Sequence, residues 1–283
     1  MARRPETGAT PLTERSSRVV FARKLLRRAG RDRSGAFLAE GAQAVGEALD
    51  AHAEGALRIR DVFVTAHQQQ RGNQQRADQW ERARAAGIHV HLVTEKAAAS
   101  LSETRTPQGV VAVCDCPHVA VADALAPQPE LVAVLVGVSD PGNAGTVVRV
   151  ADAAGAGAVL FAGDTVDPFN GKAVRASTGS LFHLPIARDR DAGAVLEACR
   201  RAGLRLVGAD GGADQDLDSC GESALAAPTA WVFGSEAHGL DDGIRRGLDA
   251  TLRVPLYGRA ESLNLATAAA VCLYASARAQ HRS

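Results

Sequence analysis

The chain has 283 residues, 46% apolar and 23% charged, with lysine plus arginine and aspartate plus glutamate both totalling 32. That length carries one large or two medium domains with ample core, and no apolar run approaches the ~20 residues of a membrane span. The arginine-rich start lacks the apolar stretch of a signal peptide, which predicts a cytoplasmic protein, and five scattered cysteines argue against a disulfide framework. The overall neutrality conceals an asymmetry. Residues 1–33 hold ten basic side chains against three acidic ones, a net of +7. This reads either as an arm facing a polyanion or as a solvated basic tail.

Residues 1–15, with Pro5, Gly8 and Pro11 and no periodicity, are expected to be disordered. A helical pattern follows from about Arg18 to Leu49, broken at Gly30 and at Ser34-Gly35. Ile59–Thr65 is strand-like, and a glutamine-rich stretch then leads to a helix ending near Ala86 with Gly87 as its cap. Residues 88–93 alternate at period two, as a half-buried strand does, and 108–113 read as a buried strand. Residues 16–116 therefore form a small α/β unit, and the alanine- and proline-rich run 117–130 reads as a linker. Cys114-Asp-Cys116-Pro-His118 invites a metal reading. No second Cys/His pair stands at finger spacing, and Cys114 lies in an apolar strand pattern, so no metal is expected.

A second unit, 131–283, opens on the uninterrupted apolar strand 131–138. Strands at 157–161, 181–186, 204–209, 230–233 and 252–256 alternate with helices at 143–154, 191–202 and 262–279. The alternation predicts an α/β fold with a mostly parallel, doubly wound sheet.

Three segments of this unit carry candidate chemistry. Ser139–Gly145 leaves a buried strand and opens a helix, the place where open α/β sheets bind ligands. Asn143 is there either as a helix cap or as a functional amide. Arg149, between Val148 and Val150, is a cation near a helix N-terminus and so opposes the dipole, which marks it as a functional candidate. A dinucleotide site with Asp164 as ribose ligand is a rival, but the glycines do not follow the Gly-x-Gly-x-x-Gly spacing. Phe233–Gly239 follows a strand, with Gly234 able to expose backbone groups and Glu236 in an expected helix start, as a cap-region acid or as a substrate ligand. His238 is an acid–base candidate of lower rank. Ser262 or Asn264 is placed to cap the last helix, and Asn264 beside a ligand supplies both donor and acceptor groups.

These segments, Asn143–Arg149, Trp231–Leu240 with Arg253–Leu256, and Ser262–Ala268, resemble in order and spacing the three motifs of the SpoU (TrmH-like) RNA ribose methyltransferases of the SPOUT superfamily. The resemblance covers about 131–280. A weaker one, in Arg27–Gly41 and Thr106–Val113, is to the ribosomal-protein-like substrate-binding domain that precedes many such enzymes, including the rRNA methyltransferases that confer thiopeptide resistance. It implies a SPOUT-type domain with a trefoil knot, an exception to the rule that chains do not thread loops. It also implies S-adenosylmethionine as cofactor, RNA as partner and a homodimer through the C-terminal domain with the final helix, 262–279, at or near the interface; that helix carries Val271, Leu273 and Tyr274 around a face of small residues.

Carried over by position, Asn143, Arg149, Glu236, Ser262 and Asn264 match the catalytic polar set. Gly234, Val254 and Leu263, with Leu256 beside them, match the cofactor-binding backbone. The implied reaction is methyl transfer to a ribose 2′-hydroxyl, with 23S rRNA expected as substrate. The alternatives are a tRNA ribose methyltransferase and a catalytically idle RNA-binding protein of the same fold. Arg149 stays protonated, so its implied role is to stabilise a developing alkoxide and clamp a phosphate rather than to act as base. The Ala237-His238 pair falls where the family's loop varies.

Overall fold

The computed structural model describes residues 10–71 and 74–282, and the chain divides into two compact units. Residues 1–9, most of the segment expected to be disordered, lie outside the described residues. Leu12, from the rest of that segment, pairs with Val93, its N–H donating to the Leu92 carbonyl.

The first unit holds the chain through Cys116 together with Phe169–Arg175. The basic stretch from residue 17 is folded: helix α1 (Ser17–Lys24) buries Val19 and Ala22, and its C-cap Leu25 joins them in the unit's core, before α2 (Arg28–Ser34). Gly35, at φ +58°, ends α2 in the left-handed conformation that glycine adopts without strain. The helical reading of 18–49 then fails at β1 (Ala36–Glu40). Its short apolar run satisfies a buried strand as well as a helix, and pairing with a distant strand decides the matter. Helix α3 (Ala42–Ala53), β2 (Ile59–Thr65), α4 (Ala66–Arg71), α5 (Gln74–Ala85), β3 (His89–Val93), α6 (Glu95–Ala99) and β4 (Val110–Asp115) follow. The sheet order is β1-β4-β2-β3, antiparallel except between β2 and β3. Phe169 sets its ring against Phe37 at 5.0 Å, and Arg175 donates to the part-buried Glu40 carboxylate at 3.0 Å.

The second unit comprises Pro117–Pro168 and the chain from Ala176 onward. Its first residues, read from composition as a linker, carry β5 (His118–Val119) and α7 (Val121–Leu125). Ala124 and Leu125 are buried against Val195 and Leu196, an apolar anchorage that the alanine and proline content obscured. Then come β6 (Leu131–Val136), α8 (Pro141–Ala153), β7 (Ala158–Ala162), α9 (Gly171–Ser177, shared with the first unit), β8 (Ile186–Asp189), α10 (Ala192–Arg201) and β9 (Arg205–Ala209). The chain continues with α11 (Glu222–Ala226), β10 (Thr229–Phe233), α12 (Asp242–Arg246), β11 (Ala250–Leu252) and α13 (Leu265–Gln280).

The strand expected at 181–186 is instead a single 3₁₀ turn, Ser180–Phe182. Pro185 has no N–H for a ladder, so pairing starts only after it, at Ile186. The strand expected at 252–256 stops at Leu252, and residues 253–256, with Pro255 among them, leave the sheet.

The sheet order is β11-β9-β10-β6-β7-β8-β5, and every neighbouring pair is parallel. Strands β7 and β10 are buried along their whole length, as a sheet covered on both faces requires. One face packs on α10 and α7, and α13 packs on α8 and α11 on the other. The fully buried Trp231 donates its indole N–H to the buried Ser276 hydroxyl at 2.9 Å, so α13 meets the sheet through a satisfied polar contact. From β6 the chain runs outward through β7 and β8, crosses to β9 on the other flank, and returns through β10 beside β6. The direction of winding therefore reverses between β6 and β10, which makes their carboxyl ends the crevice of the sheet. Among the described residues, no helix is long and apolar enough to cross a membrane.

Candidate active site

At that crevice lies a cleft of about 780 Å³, walled by loops that follow β6, β9, β10 and β11 and by the start of α13. The loop after β6 makes the first wall. Helix α8 starts at Pro141, not at residue 143, because Asp140 is its cap, accepting the Asn143 N–H at 2.8 Å. Relieved of the capping role considered for it, the Asn143 side chain is free to face the cleft.

The turn after β10 makes the second wall. The helix expected to begin near Glu236 does not form there; Ser235 and Gly239 exchange backbone hydrogen bonds at 3.0 and 2.9 Å in a tight turn, and α12 waits until Asp242. Gly239 adopts φ +66°, and a Cβ on Gly234 would sit 2.2 Å from the Gly239 carbonyl carbon, so the turn closes only with glycine at 234. This turn holds the Glu236 carboxylate against the start of α8. Glu236 accepts hydrogen bonds from the Ser139 N–H at 3.2 Å and hydroxyl at 3.3 Å, the Asp140 N–H at 3.2 Å and the Asn143 side-chain amide at 3.0 Å.

Asn264 is the third contributor. It caps α13, its Oδ1 accepting from the Ala266 and Thr267 N–H groups at 2.9 and 3.3 Å, and its amide nitrogen donates to Asn143 Oδ1 at 3.0 Å. Because an amide has one oxygen and one nitrogen end, capping by Asn264 dictates the orientation of both asparagines. The polarity runs from α13 through Asn264 and Asn143 to Glu236. Desolvation works to raise the Glu236 pKa, but the hydrogen bonds from Asn143, Ser139 and Asp140, with one from its own backbone, outweigh it and hold the carboxyl below the usual glutamate range.

The remaining residues singled out in the sequence divide. Ser262, Gly234, Val254, Leu256 and Leu263 all line the cleft with Asn143, Glu236 and Asn264. The backbone N–H and C=O groups of Val254, Leu256 and Leu263 take part in no hydrogen bond among the described residues, so they remain available to a ligand. Arg149 does not line the cleft; it is exposed on α8, six residues beyond Asn143, with its guanidinium 3.5 Å from Thr178 Oγ1. His238 is exposed in the turn, and Asp164 lies exposed after β7, away from the cleft lining. Among the described residues, no three His, Cys, Asp or Glu side chains are grouped as a metal site. Cys114 is fully buried in β4, a core side chain, and that burial pushes its thiol pKa up.

Sequence reasoning missed Asp210 and Gly211 at the end of β9, the Asp216–Arg253 ion pair, and Glu261. The position of Asp210 just past a strand was a signal, but only the strand order puts β9 beside β10.

Comparison with known proteins bears on this geometry. The model of the SpoU rRNA Methylase family matches residues 130–274, and that of the MRM3-like substrate binding domain matches 16–112. The chain is similar to the 23S rRNA (guanosine(2553)-2′-O)-methyltransferase RlmP of Bacillus subtilis, at 38% identity over 66% of this chain and 72% of that protein. Its structure is similar to an AdoMet-bound rRNA methyltransferase from Sinorhizobium meliloti, with a TM-score of 0.81 and 31% identity over 95% of this chain and 97% of that one. The SpoU methyltransferase AviRb from Streptomyces viridochromogenes, in complex with AdoMet, gives 0.79 and 31% over 95% and 99%.

The depressed Glu236 carboxyl sets a pH dependence. A folded-state pKa below the unfolded value contributes stability that is present above the ordinary glutamate range and lost as pH falls through the depressed value. Carboxyl-carbon NMR is expected to titrate Glu236 below a free glutamate, and Asn143→Ala is expected to move it back up. A normal value in the intact protein would contradict the hydrogen-bond arrangement.

Proposed function

Because the chain belongs to the SpoU rRNA methylase family, we propose that it transfers a methyl group from S-adenosylmethionine to a ribose 2′-hydroxyl of RNA, with 23S rRNA as its substrate. The observation that carries the reading is the cleft at the β6/β10 crevice, where open backbone groups face an apolar wall and three strand-end loops are tied by one hydrogen-bond chain. That donor set fits the cofactor. Val254, Leu256 and Leu263 offer backbone partners for its adenine and ribose, and the carboxylates of Glu236 and Glu261 on the lining suit a cationic ligand. Retention of Asn143, Arg149, Glu236 and Asn264 together speaks against a catalytically idle RNA-binding protein.

When bound, S-adenosylmethionine supplies a methyl group on a positively charged sulfur. The residues of this chain align and stabilise. Asn143 and Asn264 hold the loops after β6 and β11 at a set separation, and Ser262 adds a hydroxyl at the rim. Glu236 already accepts from four donors and is held ionised, so it braces the start of α8 and is not assigned the 2′-hydroxyl proton. Arg149, permanently charged, stabilises the developing negative charge on the 2′-oxygen and clamps the neighbouring phosphate. The proton passes to solvent or to a substrate phosphate.

Mass-spectrometric mapping of ribose methylation in RNA from cells with and without the protein tests the reading directly. One 23S rRNA 2′-O-methyl mark is expected to vanish with the gene and to stay absent when Arg149→Ala is supplied. That variant should lose roughly 10²–10³ in rate while binding S-adenosylhomocysteine within a few-fold of the parent by calorimetry. An unchanged methylation map, or a changed site in tRNA, would refute the assignment to rRNA.

We propose that the first unit selects the RNA. Arg18 pairs with Asp61, Arg28 with Asp32, and Arg31 is buried against the Leu25 and Leu26 carbonyls. Arg23, Lys24, Arg27 and Arg33 are exposed and form no ion pair among the described residues, which leaves their charge for phosphates. Removing residues 1–33 would strip Val19, Ala22 and Leu25 from the core, so charge substitution is the cleaner test. Changing Arg23, Lys24 and Arg27 to glutamine should flatten the salt dependence of RNA binding, by roughly one log–log unit for each phosphate interaction removed. Equal slopes would show that these side chains face only solvent.

A cytoplasmic homodimer completes the proposal. Leu273, one of the residues expected at the interface, is fully buried in its own unit, whereas Val271 and Tyr274 on α13 are 38% and 42% exposed and leave apolar surface to cover. Sedimentation equilibrium should give about twice the 29.4 kDa chain mass; a stable, active monomer would refute the dimer.

A further inference from the structure

The role proposed for Arg149 requires a guanidinium that is held in direction yet keeps its charge. Among the described residues, its single hydrogen-bond partner is the neutral hydroxyl of Thr178, at 3.5 Å. The natural ionic partner stands one turn along the same helix, since residues three apart on α8 are neighbours and Asp152 is three residues on. Asp152 is otherwise engaged, its Oδ2 lying 2.8 Å from His183 Nδ1. Both Thr178 and His183 come from the short segment between α9 and β8, which packs on α8 through its 3₁₀ turn.

Thr178 is placed against local preference. Its φ is +53°, in the left-handed region that a β-branched residue enters only under constraint, and Gly179 follows at φ +101°. Glycine would occupy position 178 without strain, so the side chain, and not the backbone, accounts for a threonine there. Its hydroxyl donates its one proton to the Ala176 carbonyl at 3.3 Å, which leaves oxygen lone pairs towards the Arg149 guanidinium. The donor–acceptor sense of the contact is thereby set.

We propose that the segment Thr178–His183 positions Arg149 for methyl transfer, with Thr178 orienting the guanidinium through a neutral acceptor and His183 withholding the Asp152 carboxylate that would otherwise neutralise it. The inference rests on the reading in which Arg149 stabilises charge on the ribose oxygen. Thr178 and His183 are positioning residues, not catalytic ones, because they act through Arg149.

The test uses the full chain with its RNA and S-adenosylmethionine, following kcat, KM for RNA, S-adenosylhomocysteine affinity and melting temperature. Thr178→Gly relieves the backbone and is expected to raise the melting temperature while lowering kcat by roughly ten- to a hundredfold, the scale of a misplaced catalytic group. Thr178→Val should lower kcat similarly, Thr178→Ser should keep it within about twofold, and cofactor affinity should not move. His183→Ala should lower kcat, and adding Asp152→Asn to that variant should restore it, because the competing charge is gone. A purely structural role predicts none of these opposed or rescued effects. Parental kcat in both Thr178→Gly and Thr178→Val, or no recovery in the His183→Ala, Asp152→Asn double variant, would overturn the proposal while Arg149→Ala remains inactive. Full activity in Arg149→Ala would instead remove the role of Arg149 itself, and this inference with it.

Discussion

Asn264 Oδ1 is committed to the first N–H groups of α13, and the rest of the site follows from that commitment. A helix of sixteen residues needs its leading donors satisfied, and no other described side chain caps it. With the oxygen spent, the Asn264 amide must donate, Asn143 must accept with its oxygen, and the Asn143 nitrogen must in turn find an acceptor. Glu236 is that acceptor, and its other donors hold it in the carboxylate form, which accepts at both oxygens. Three loops distant in sequence are thus locked to one another by a capping requirement propagated through two amides.

The arrangement divides electrostatic labour along α8. Its N-terminal end, where the dipole is positive, receives the negative charge of Glu236. Arg149, farther along, donates to a neutral hydroxyl and forms no ion pair among the described residues, so it keeps its positive charge. A carboxylate at the helix start and a cation two turns later keep the two charges from cancelling. For the proposed reaction this separation matters, because the cofactor is cationic and the attacking oxygen becomes anionic.

The first unit shows a different use of charge. Helix α1 buries Val19 and Ala22 and leaves Arg23 and Lys24 outward. Arg31 is the exception, turned inward to satisfy the carbonyls at the end of α1, where a guanidinium provides several donors at once. Composition alone could not separate the arginine that builds the fold from those left for a polyanion.

The doubly wound α/β character of residues 131–283 was legible because uninterrupted apolar strands such as β6 and alternating amphipathic helices are local properties. The motif segments were legible for the same reason: glycines at 234 and 239 and amides at 143 and 264 able to cap a helix each announce a turn or helix start within a few residues. The structure alone decided what each does there. Asp140 took the cap expected of Asn143, because Pro141 suits the first helical position and the aspartate precedes it. β1 became a strand, because a five-residue apolar run has no periodicity to resolve and the pairing partner, β4, lies some seventy residues away. Residues 118–125 joined the second unit, His118–Val119 pairing with β8 and Ala124 and Leu125 burying against α10. Arg149 was conspicuous in the sequence as a cation opposing a helix dipole, but Thr178 and His183 were not, since a hydroxyl and an imidazole acquire meaning only from what the fold sets beside them. Sequence determines which backbone groups need partners and which side chains can be buried; strand order, which arises from contacts between residues far apart in the chain, determines who the partners are.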